Sequence, residues 1–420
     1  MISAASHLPL LNGNKNFKSS IKKATMKKTI LGFFVLVFFT GNKYLFAQEN
    51  YNTQKVYKVG VFAPLYLDSV FTNYQLRSDK TIPKFIMPAV DFVQGAEIAL
   101  DTLSLFNQRV EAFIYDTKSF TQPLPWLIQN KLLDSFDLII GCVKDTDFKV
   151  LADFSAKKNI PFISATYPND GGVSGNPNLI IINSTLKAHC EGIYSYILQN
   201  HGTDKIILLK KPGVQEDKIA SYFKTQNEQE GKPLLNIQTI HVDSTISSYF
   251  LKSRLDSTKR TVIIAASLDE SFAKTVANAC FAIRKSYPLI LIGMPNWDGF
   301  KIFTAKNAYK DFPVHFTTPY YNSKSNWFNT TLTNEYLRRY KTKPSDMAYR
   351  GFETIYMFTK LLLRYPANVL SHLNDKSQTI FNEYNFRPVF LKKGALQPDY
   401  FENKHLYIMR ILNGAVSREW

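Results

Sequence analysis

The sequence predicts an α/β fold with two doubly wound, parallel-sheet lobes. Short apolar segments typical of buried strands alternate with amphipathic helical segments from residue 56 to residue 316. Strict alternation of this kind is typical of parallel sheets with helices on both faces. The chain is also 420 residues long, which is more than one hydrophobic core usually serves. We therefore expect two lobes, each with its own sheet.

The segment 137–168 shows the alternation most clearly. Leu138–Gly141 is an apolar strand, an amphipathic helix follows, and Pro161–Ser164 is a second apolar strand. Two strands joined in this way are parallel and form a right-handed βαβ unit. Ligands of open parallel sheets lie beyond the carboxyl ends of the strands. The turns Cys142–Thr146 and Ala165–Asp170 follow those ends, so we expect a ligand cleft beside them.

The first lobe begins at the amino end of the exported chain. Its helices are predicted from apolar residues at helical spacing, over Phe92–Leu103, Trp126–Leu133 and the stretch between the two strands of the βαβ unit. Its strands are predicted at Val56–Pro64, Val110–Tyr115, Leu138–Gly141, Pro161–Ser164 and Asn178–Ile182.

From Lys187 the same rhythm restarts and predicts the second lobe. Its helices are predicted at 187–198, 216–229, 250–255 and 271–284. Its strands are predicted at 205–209, 237–242, 261–265 and 288–292. After residue 316 the pattern changes to two long helices, Trp327–Tyr340 and Ala348–Leu363, separated by a Lys-Pro turn, and then to a hairpin that contains a strand at 404–412.

Residues 1–47 are predicted to lie outside the fold. Two lysines precede the apolar run Ile30–Phe39, and Ala47 stands before a polar segment, which is the pattern of a secretory signal peptide. We expect cleavage after Ala47 and a periplasmic or secreted protein that does not span a membrane. Residues 1–25 are interpreted as an upstream extension, because the signal is complete from Met26; a long amino-terminal region of the signal is the alternative.

The charge of the chain is basic without being concentrated. The formal net charge is +17, and residues 1–47 contribute seven lysines and no acidic residue, so about +10 remains after cleavage. Basic side chains can mark a nucleic-acid surface when they cluster. Here they are scattered, mostly as single residues and pairs, so a solvated basic surface is the preferred interpretation and no nucleic-acid partner is expected.

No pattern in the chain indicates catalysis, a metal or a cofactor. The first strand is not followed by a Gly-x-Gly-x-x-Gly turn, there is no phosphate-binding loop, and there is no Gly-x-Ser-x-Gly elbow. The seven histidines and three cysteines lack metal-ligand spacing. Cys190 and Cys280 are interpreted as small buried residues, with Cys142 close to the cleft. We therefore expect neither an enzyme nor a cofactor.

The segment 317–358 resembles the return segment of type I periplasmic binding proteins of the branched-chain amino acid (Leu/Ile/Val) class. In that class an aromatic stretch precedes a helix and a Pro turn, and the next helix carries Ala-x-x-Gly-aromatic-(Asp/Glu)-x-x-Tyr. The matching positions here are Tyr340, Pro344, Asp346, Ala348, Gly351, Phe352, Glu353 and Tyr356. Looser matches, in the same order, are Lys58–Pro64, Gly95–Leu100, Ile140-Gly141 and Ile160–Ser164.

The resemblance implies two lobes joined by a three-crossover hinge, with a small-molecule ligand in the cleft between them. Lobe one would comprise residues 48–185 with 317–366, and lobe two residues 186–316 with 367–420. The resemblance also places candidate ligand contacts in the turns after the strands. In lobe one these are Tyr66, Thr146, Ala165, Thr166 and Tyr167, and in lobe two Asp269, Glu270, Asn296 and Trp297.

Alternatives remain for several of these residues. Asp269 or Glu270 would bind a ligand ammonium, but a carboxylate at a helix start also stabilises the helix by itself. Tyr66 and Tyr167 would stack on a ligand or else only pack locally.

The chain also departs from the family pattern. Cys142–Asp145 replaces a run of small hydroxyl residues, and the turn at Ser164–Tyr167 lacks a glycine spacer. Two functions follow from the sequence. The first is capture of an amino acid or similar solute for an ABC permease. The second is an envelope interaction or sensor module that keeps the fold without transport.

Overall fold

A computed structural model of the chain describes Ile2–Ser3 and residues 55–73, 75–77, 81–104, 110–228, 231–243, 245–305 and 307–420. Residues 56–420 cluster into one compact unit. The predicted signal peptide and its cleavage after Ala47 lie outside the described residues. So does most of the segment predicted as an upstream extension.

The first sheet has eight strands in the order β1-β5-β2-β6-β7-β8-β15-β14. Strands β5 to β15 in this order are parallel neighbours, whereas β1 and β14 pair antiparallel at the two edges. The strands are β1 (Ile2–Ser3), β2 (Tyr57–Ala63), β5 (Val110–Asp116), β6 (Leu138–Gly141), β7 (Phe162–Ser164), β8 (Leu179–Ile181), β14 (Phe386–Val389) and β15 (Tyr400–Asn403).

Helices cover both faces of this sheet. One core lies beneath α2, α10 and α11, and the other lies beneath α3 and α4. Because each face has its own apolar cluster, the lobe is doubly wound. The elements are α1 (Leu67–Val70), a small hairpin of β3 (Phe71–Thr72) and β4 (Gln75–Leu76), α2 (Met87–Ser104), α3 (Leu124–Gln129), α4 (Asp145–Lys158), α10 (Trp327–Tyr340) and α11 (Asp346–Arg364).

The second sheet has seven strands in the order β10-β9-β11-β12-β13-β16-β17. Its first five strands are parallel, and β16 and β17 are antiparallel. The strands are β9 (Lys205–Lys210), β10 (Ile237–His241), β11 (Thr261–Ala265), β12 (Leu289–Ile292), β13 (Val314–Thr318), β16 (Tyr407–Leu412) and β17 (Ala415–Arg418). The helices are α5 (Leu186–Asn200), α6 (Val214–Asn227), α7 (Ser248–Lys252), α8 (Glu270–Ile283) and α9 (Lys301–Thr304). Short 3-10 helices lie at Pro295–Gly299, Val369–His372 and Lys376–Gln378.

The chain passes between the two sheets three times. It crosses from β8 to α5, from β13 to α10, and from β15 to β16. This confirms the predicted fold class of two doubly wound, mainly parallel lobes joined by three crossovers. The cleft between the lobes faces the carboxyl ends of the central strands.

Two details differ from the sequence prediction. Strands β14 and β15 were expected in lobe two but belong to the first sheet, where β15 pairs parallel with β8. The physical reason is that Tyr400 and Phe386 are buried in the two cores of lobe one. In addition, residues 1–47 were expected to take no part in the fold, but Ile2–Ser3 form strand β1. This strand pairs with the otherwise free edge of β5.

Candidate ligand-binding cleft

The described structure has a cavity of about 940 Å³ between the lobes. Its walls come from the turn after β7, from the start of α6, and from the 3-10 turn after β12. Its floor comes from the three crossovers. The lining includes polar and charged side chains of both signs, among them Asp170, Lys218, Asp298, Arg350 and Glu402. The size suits a ligand at the upper end of the usual range for small-molecule sites.

Hydrogen bonds tie the first and third crossovers together in the floor. Ser184 Oγ donates to the Asn403 carbonyl oxygen at 2.7 Å, and the Thr185 N–H donates to Glu402 Oε1 at 2.7 Å. Glu402 is almost fully buried, and its second carboxylate oxygen lies 2.6 Å from Lys404 Nζ. Such charge-assisted bonds are among the strong ones. These bonds therefore hold the first and third crossovers against each other.

Lys404 is a paired cation rather than a free one. Its ammonium lies 2.9 Å from Glu191 Oε2 as well as 2.6 Å from Glu402 Oε2. Burial alone would lower the pKa of Lys404, but the two carboxylates outweigh it and raise that pKa above its usual value. The three charged groups together carry one net negative charge, so this part of the floor favours a cationic ligand group.

His189 joins the first crossover to the second. Its Nδ1 atom lies 2.8 Å from Thr317 Oγ1, and the side chain is 3% exposed. Burial lowers the pKa of His189 to about 3, and the charge of Lys404 acts in the same direction. The ring is therefore neutral at physiological pH, and protonating it would place an unpaired charge in the floor.

We expect His189 to make the free energy of unfolding depend on pH. Its pKa is about 3 in the fold and 6.5 when unfolded, so between these values the unfolded chain binds more protons. The contribution of neutral His189 to the free energy of unfolding is then fully present above pH 6.5 and falls as the pH falls, by up to about 1.4 kcal/mol per pH unit.

Urea unfolding of the wild type and His189→Gln between pH 4 and 7 checks this pH dependence. The free energy of unfolding of the wild type minus that of His189→Gln should grow as the pH rises. The variant His241→Gln, at an exposed histidine, should follow the wild type at every pH. Parallel curves for His189→Gln and the wild type would contradict the assignment.

Tyr320, in the second crossover, closes the back of the cleft. Its hydroxyl donates to the Ala165 carbonyl oxygen at 2.9 Å. The guanidinium of Arg350 lies over its ring, with Cζ 3.9 Å from the ring centroid. Burial raises the pKa of Tyr320, so its hydroxyl stays protonated and remains a donor. The tyrosine therefore links the turn after β7 to helix α11.

The turn after β7 holds three of the predicted contacts. Tyr167 lines the cavity, packs on Phe148 at 5.1 Å between centroids, and donates its hydroxyl to Asp145 at 3.2 Å. Ala165 is buried, and its N–H is bonded to the Gly141 carbonyl oxygen. The Thr166 hydroxyl faces the Cys142 sulfur at 3.6 Å. Of the three, only Tyr167 contributes to the cavity wall.

Two further predicted contacts of lobe one lie away from the cavity. Thr146 is exposed in the first turn of α4. Tyr66 has φ of 54°, and its ring packs edge-on against Phe85 with the centroids 5.3 Å apart. Its turn is held by Asp116, whose carboxylate accepts the N–H groups of residues 65, 66 and 67 at 2.7–3.0 Å. For Tyr66, the local-packing interpretation agrees with this geometry.

In lobe two, the residues after β12 divide into wall and core. Asn296 lines the cavity, and its Nδ2 donates to the Leu268 carbonyl oxygen at 2.7 Å. Its Oδ1 is buried and has no hydrogen-bond partner among the described residues. Trp297 is fully buried and stacks on Phe303, with 4.8 Å between centroids. The tryptophan therefore belongs to the core of lobe two rather than to the cleft.

Asp269 and Glu270 have the geometry of helix-start residues. Asp269 accepts the Phe272 N–H at 2.7 Å, lies 3.3 Å from Lys211 Nζ, and caps α8. The hydrogen bond from Phe272, with help from Lys211, lowers the pKa of Asp269. Glu270 is exposed in the first turn, where a negative charge favours the helix. Neither residue lines the cavity.

The cavity also contains residues that the sequence did not indicate. Asp298, Arg350, Glu402 and Lys404 carry charges into it, and Tyr222 and Tyr400 add aromatic surface. Asp298 is exposed to the cleft, yet its surroundings desolvate it enough to raise its pKa against the opposing effect of Arg350. These residues come from crossovers and helix faces that are far apart in the sequence, so no local sequence motif marks them. The one available signal was the pair of charged residues Glu402 and Lys404, near the predicted hairpin.

No family model and no curated protein sequence matches the chain. Solved structures do match its fold. One is described as a putative branched-chain amino acid ABC transporter from Rhodospirillum rubrum, with TM-score 0.61, 12% identity, and coverage of 87% of this chain and 100% of that chain. A branched chain amino acid ABC transporter periplasmic ligand-binding protein from Burkholderia xenovorans has TM-score 0.54, 11% identity, and coverage of 87% and 94%. An ABC transporter substrate-binding protein from Desulfitobacterium hafniense has TM-score 0.53, 11% identity, and coverage of 86% and 99%.

These similarities establish the fold. The chain has the two-lobed fold of type I periplasmic binding proteins, as the sequence resemblance implied. A shared fold does not by itself show that two proteins bind the same ligand. Among the described residues, none of the helices is long and apolar enough to cross a membrane, and no cluster of three or more His, Cys, Asp or Glu side chains is placed to hold a metal.

Proposed function

We propose that this chain is an exported solute-binding protein that captures a small molecule between its lobes and delivers it to an ABC importer. The observation that carries this proposal is the cavity of about 940 Å³ at the carboxyl ends of both parallel sheets, lined from both lobes. A ligand there contacts both lobes at once, so its binding favours a closed arrangement about the three crossovers. The predicted signal peptide supports a location in the periplasm or outside the cell.

The proposed ligand contacts combine the sequence and the structure. Tyr167 and Asn296 are kept from the predicted set, because both line the cavity. The buried and unpartnered Oδ1 of Asn296 is an acceptor suited to a ligand N–H or O–H. Tyr222, from lobe two, offers an aromatic face to the same space. The other predicted contacts would need a change of conformation to reach a ligand in this cavity.

An envelope interaction or sensor module is the second candidate. It is favoured because polar groups of lobe one that were expected to contact a ligand are already bonded to other groups of the protein. The Ala165 carbonyl oxygen is bonded by Tyr320, and the Thr166 hydroxyl faces a sulfur atom. A cleft changed in this way fits a partner-binding role as well as a solute-binding one. Copurification from envelope extracts distinguishes the two, because an importer would bring a permease and an ATPase, whereas a sensor would bring a different envelope protein.

Thermal unfolding of the exported protein with panels of amino acids, short peptides, nucleosides and sugars tests solute binding. We expect one chemical class to raise the melting temperature. A ligand at about one hundred times its dissociation constant stabilises the folded state by about 2.7 kcal/mol. Asn296→Ala should reduce the shift, whereas Glu270→Gln, outside the cavity, should not. If no class produces a shift, solute capture is wrong and the sensor alternative is favoured.

A further inference from the structure

A guanidinium group stands in the wall between two cavities. Arg350, on α11, lines both the large cleft and a smaller cavity of about 200 Å³ behind it. Thr318 and Tyr320 of the second crossover and Asp298 of lobe two line both spaces as well. The arginine is therefore placed where the lobes and the hinge meet, and a ligand in the cleft can reach it.

The stacking fixes the plane of this group. The guanidinium carbon lies 3.9 Å from the centroid of the Tyr320 ring, and Tyr320 is itself fixed by its bond to Ala165. Stacking occupies the face of the guanidinium but leaves its N–H edges free to donate. The side chain is thus preorganised, so less conformational entropy is lost when an anion binds.

The hydrogen-bonding capacity of Arg350 is unused within the described part of the chain. Among the residues that the structure describes, none accepts a hydrogen bond from it or forms an ion pair with it. This sets it apart from Lys404, which is held between two carboxylates. A half-buried guanidinium with five donors and no acceptor is a costly arrangement unless something else supplies the acceptor.

The charges around Arg350 leave room for an anion. Burial raises the pKa of Asp298, Cys142 and Tyr320, and the charge of Arg350 opposes each rise, so its field reaches into the cleft. Asp298 faces it from lobe two but forms no ion pair with it in this arrangement. Either a ligand anion or a carboxylate of the protein, Asp298 or Asp346, can supply the acceptor, and these outcomes differ experimentally.

We propose that Arg350 binds a carboxylate of the ligand through its two-pronged edge, which makes the cleft selective for carboxylate-bearing solutes of about short-peptide size. This deepens the proposed function and rests on it. Carboxylate is the chemistry that a fixed guanidinium fork matches best. The cavity of about 940 Å³ offers more space than a single small amino acid fills. Asp298 and the net negative floor at Lys404 would face the cationic end of such a ligand.

The test uses the full exported protein and a defined pool of short peptides from hydrolysed casein. The same pool is also supplied after its carboxylates have been converted to methyl esters. Peptides retained through gel filtration are counted by mass spectrometry. We expect the wild type to retain peptides from the untreated pool and at least tenfold fewer from the esterified pool. Arg350→Gln should lose retention at least tenfold, and Arg350→Lys should recover part of it, because a point charge replaces the fork.

Arg387→Gln serves as the matched control, since it removes an exposed guanidinium that lines neither cavity. Equal retention by Arg350→Gln, equal retention of the esterified pool, or no retention at all would each overturn the proposal. Failure of solute capture is recognised separately. If the thermal unfolding panels also give no shift in melting temperature, both the proposed function and the proposed role of Arg350 are wrong. If a neutral solute shifts both the wild type and Arg350→Gln, the proposed function stands and the assignment of a ligand carboxylate to Arg350 is wrong.

Discussion

Gly351→Ala is expected to lower the free energy of unfolding by at least about 3 kcal/mol, at the upper end of the usual range for overpacking. A Cβ atom at this position would lie 1.9 Å from the Phe92 carbonyl oxygen. The reciprocal contact is equally close, because a Cβ at Gly95 would lie 2.0 Å from the Ala348 carbonyl oxygen. Helices α2 and α11 therefore cross with their backbones in contact. A backbone atom cannot rotate aside as a side chain can, so the helices would have to separate.

A loss of stability on Gly351→Ala would itself indicate that the two helices are in contact. In an exposed helix the same substitution adds about 1 kcal/mol of stability, because glycine is a poor helix former. Urea unfolding followed by circular dichroism measures the change for Gly351→Ala and Gly95→Ala. Gly299→Ala is the control, since nothing lies within 4 Å of a Cβ added there. A Gly351→Ala protein as stable as the wild type would show that the two helices are not in contact.

The crossing also explains why part of the fold could be predicted from the sequence. Gly95 and Gly351 belong to the motif positions on which the resemblance rested, and their spacing reflects a packing constraint rather than a ligand. Local patterns were similarly reliable for buried strands. The runs at 138–141 and 261–265 are buried throughout and were predicted with the correct bounds. A buried strand is apolar along its whole length, so its sequence alone defines it.

Elements that depend on distant contacts were harder to predict. Helix α2 begins at Met87 rather than at Phe92, and α3 ends at Gln129 rather than near Leu133. Strand β15 joins the first sheet through pairing with β8, more than 200 residues away. A short strand with both apolar and charged residues has no local feature that selects one sheet over the other.

The candidate site shows the same limit. Trp297 follows a strand end and was expected to face the cleft, but its ring lies in the core against Phe303. The direction of one side chain in a turn depends on the whole lobe. Arg350 was overlooked because it occupies a variable position of the motif, and only the packing of α11 against Tyr320 brings it to the cleft.

Glu353→Ala is expected to destabilise the protein by about 3–5 kcal/mol, because it leaves four buried or partly buried donors without an acceptor. Oε1 accepts the N–H groups of Phe381 and Asn382 at 2.9 and 2.7 Å. Oε2 accepts Asn382 Nδ2 at 2.5 Å and the Tyr384 hydroxyl at 2.7 Å. The carboxylate thus fastens residues 381–384 to α11. Burial raises the pKa of Glu353, whereas these four donors oppose that shift.

Urea unfolding measures the loss, with Glu270→Ala as the matched control. Glu270 is exposed in the first turn of α8, so the same substitution there should cost only a small fraction of that energy. Glu353→Gln keeps the volume but presents an amide N–H₂ to at least one donor. It should therefore fall between the wild type and Glu353→Ala.

The effect of Glu353 should also reach the hinge. Asn382 Oδ1 accepts the Tyr321 N–H at 2.6 Å, and Tyr321 lies in the crossover from β13 to α10. Glu353 is therefore joined through a single residue to a segment that would bend in the proposed closure of the lobes. Hydrogen exchange of Glu353→Gln should show faster exchange at residues 317–322 and 381–385 than in the wild type, while the β9 and β11 amides of lobe two keep their protection. Faster exchange confined to residues 381–385 would mean that the carboxylate supports only its own loop and does not set the stiffness of the hinge.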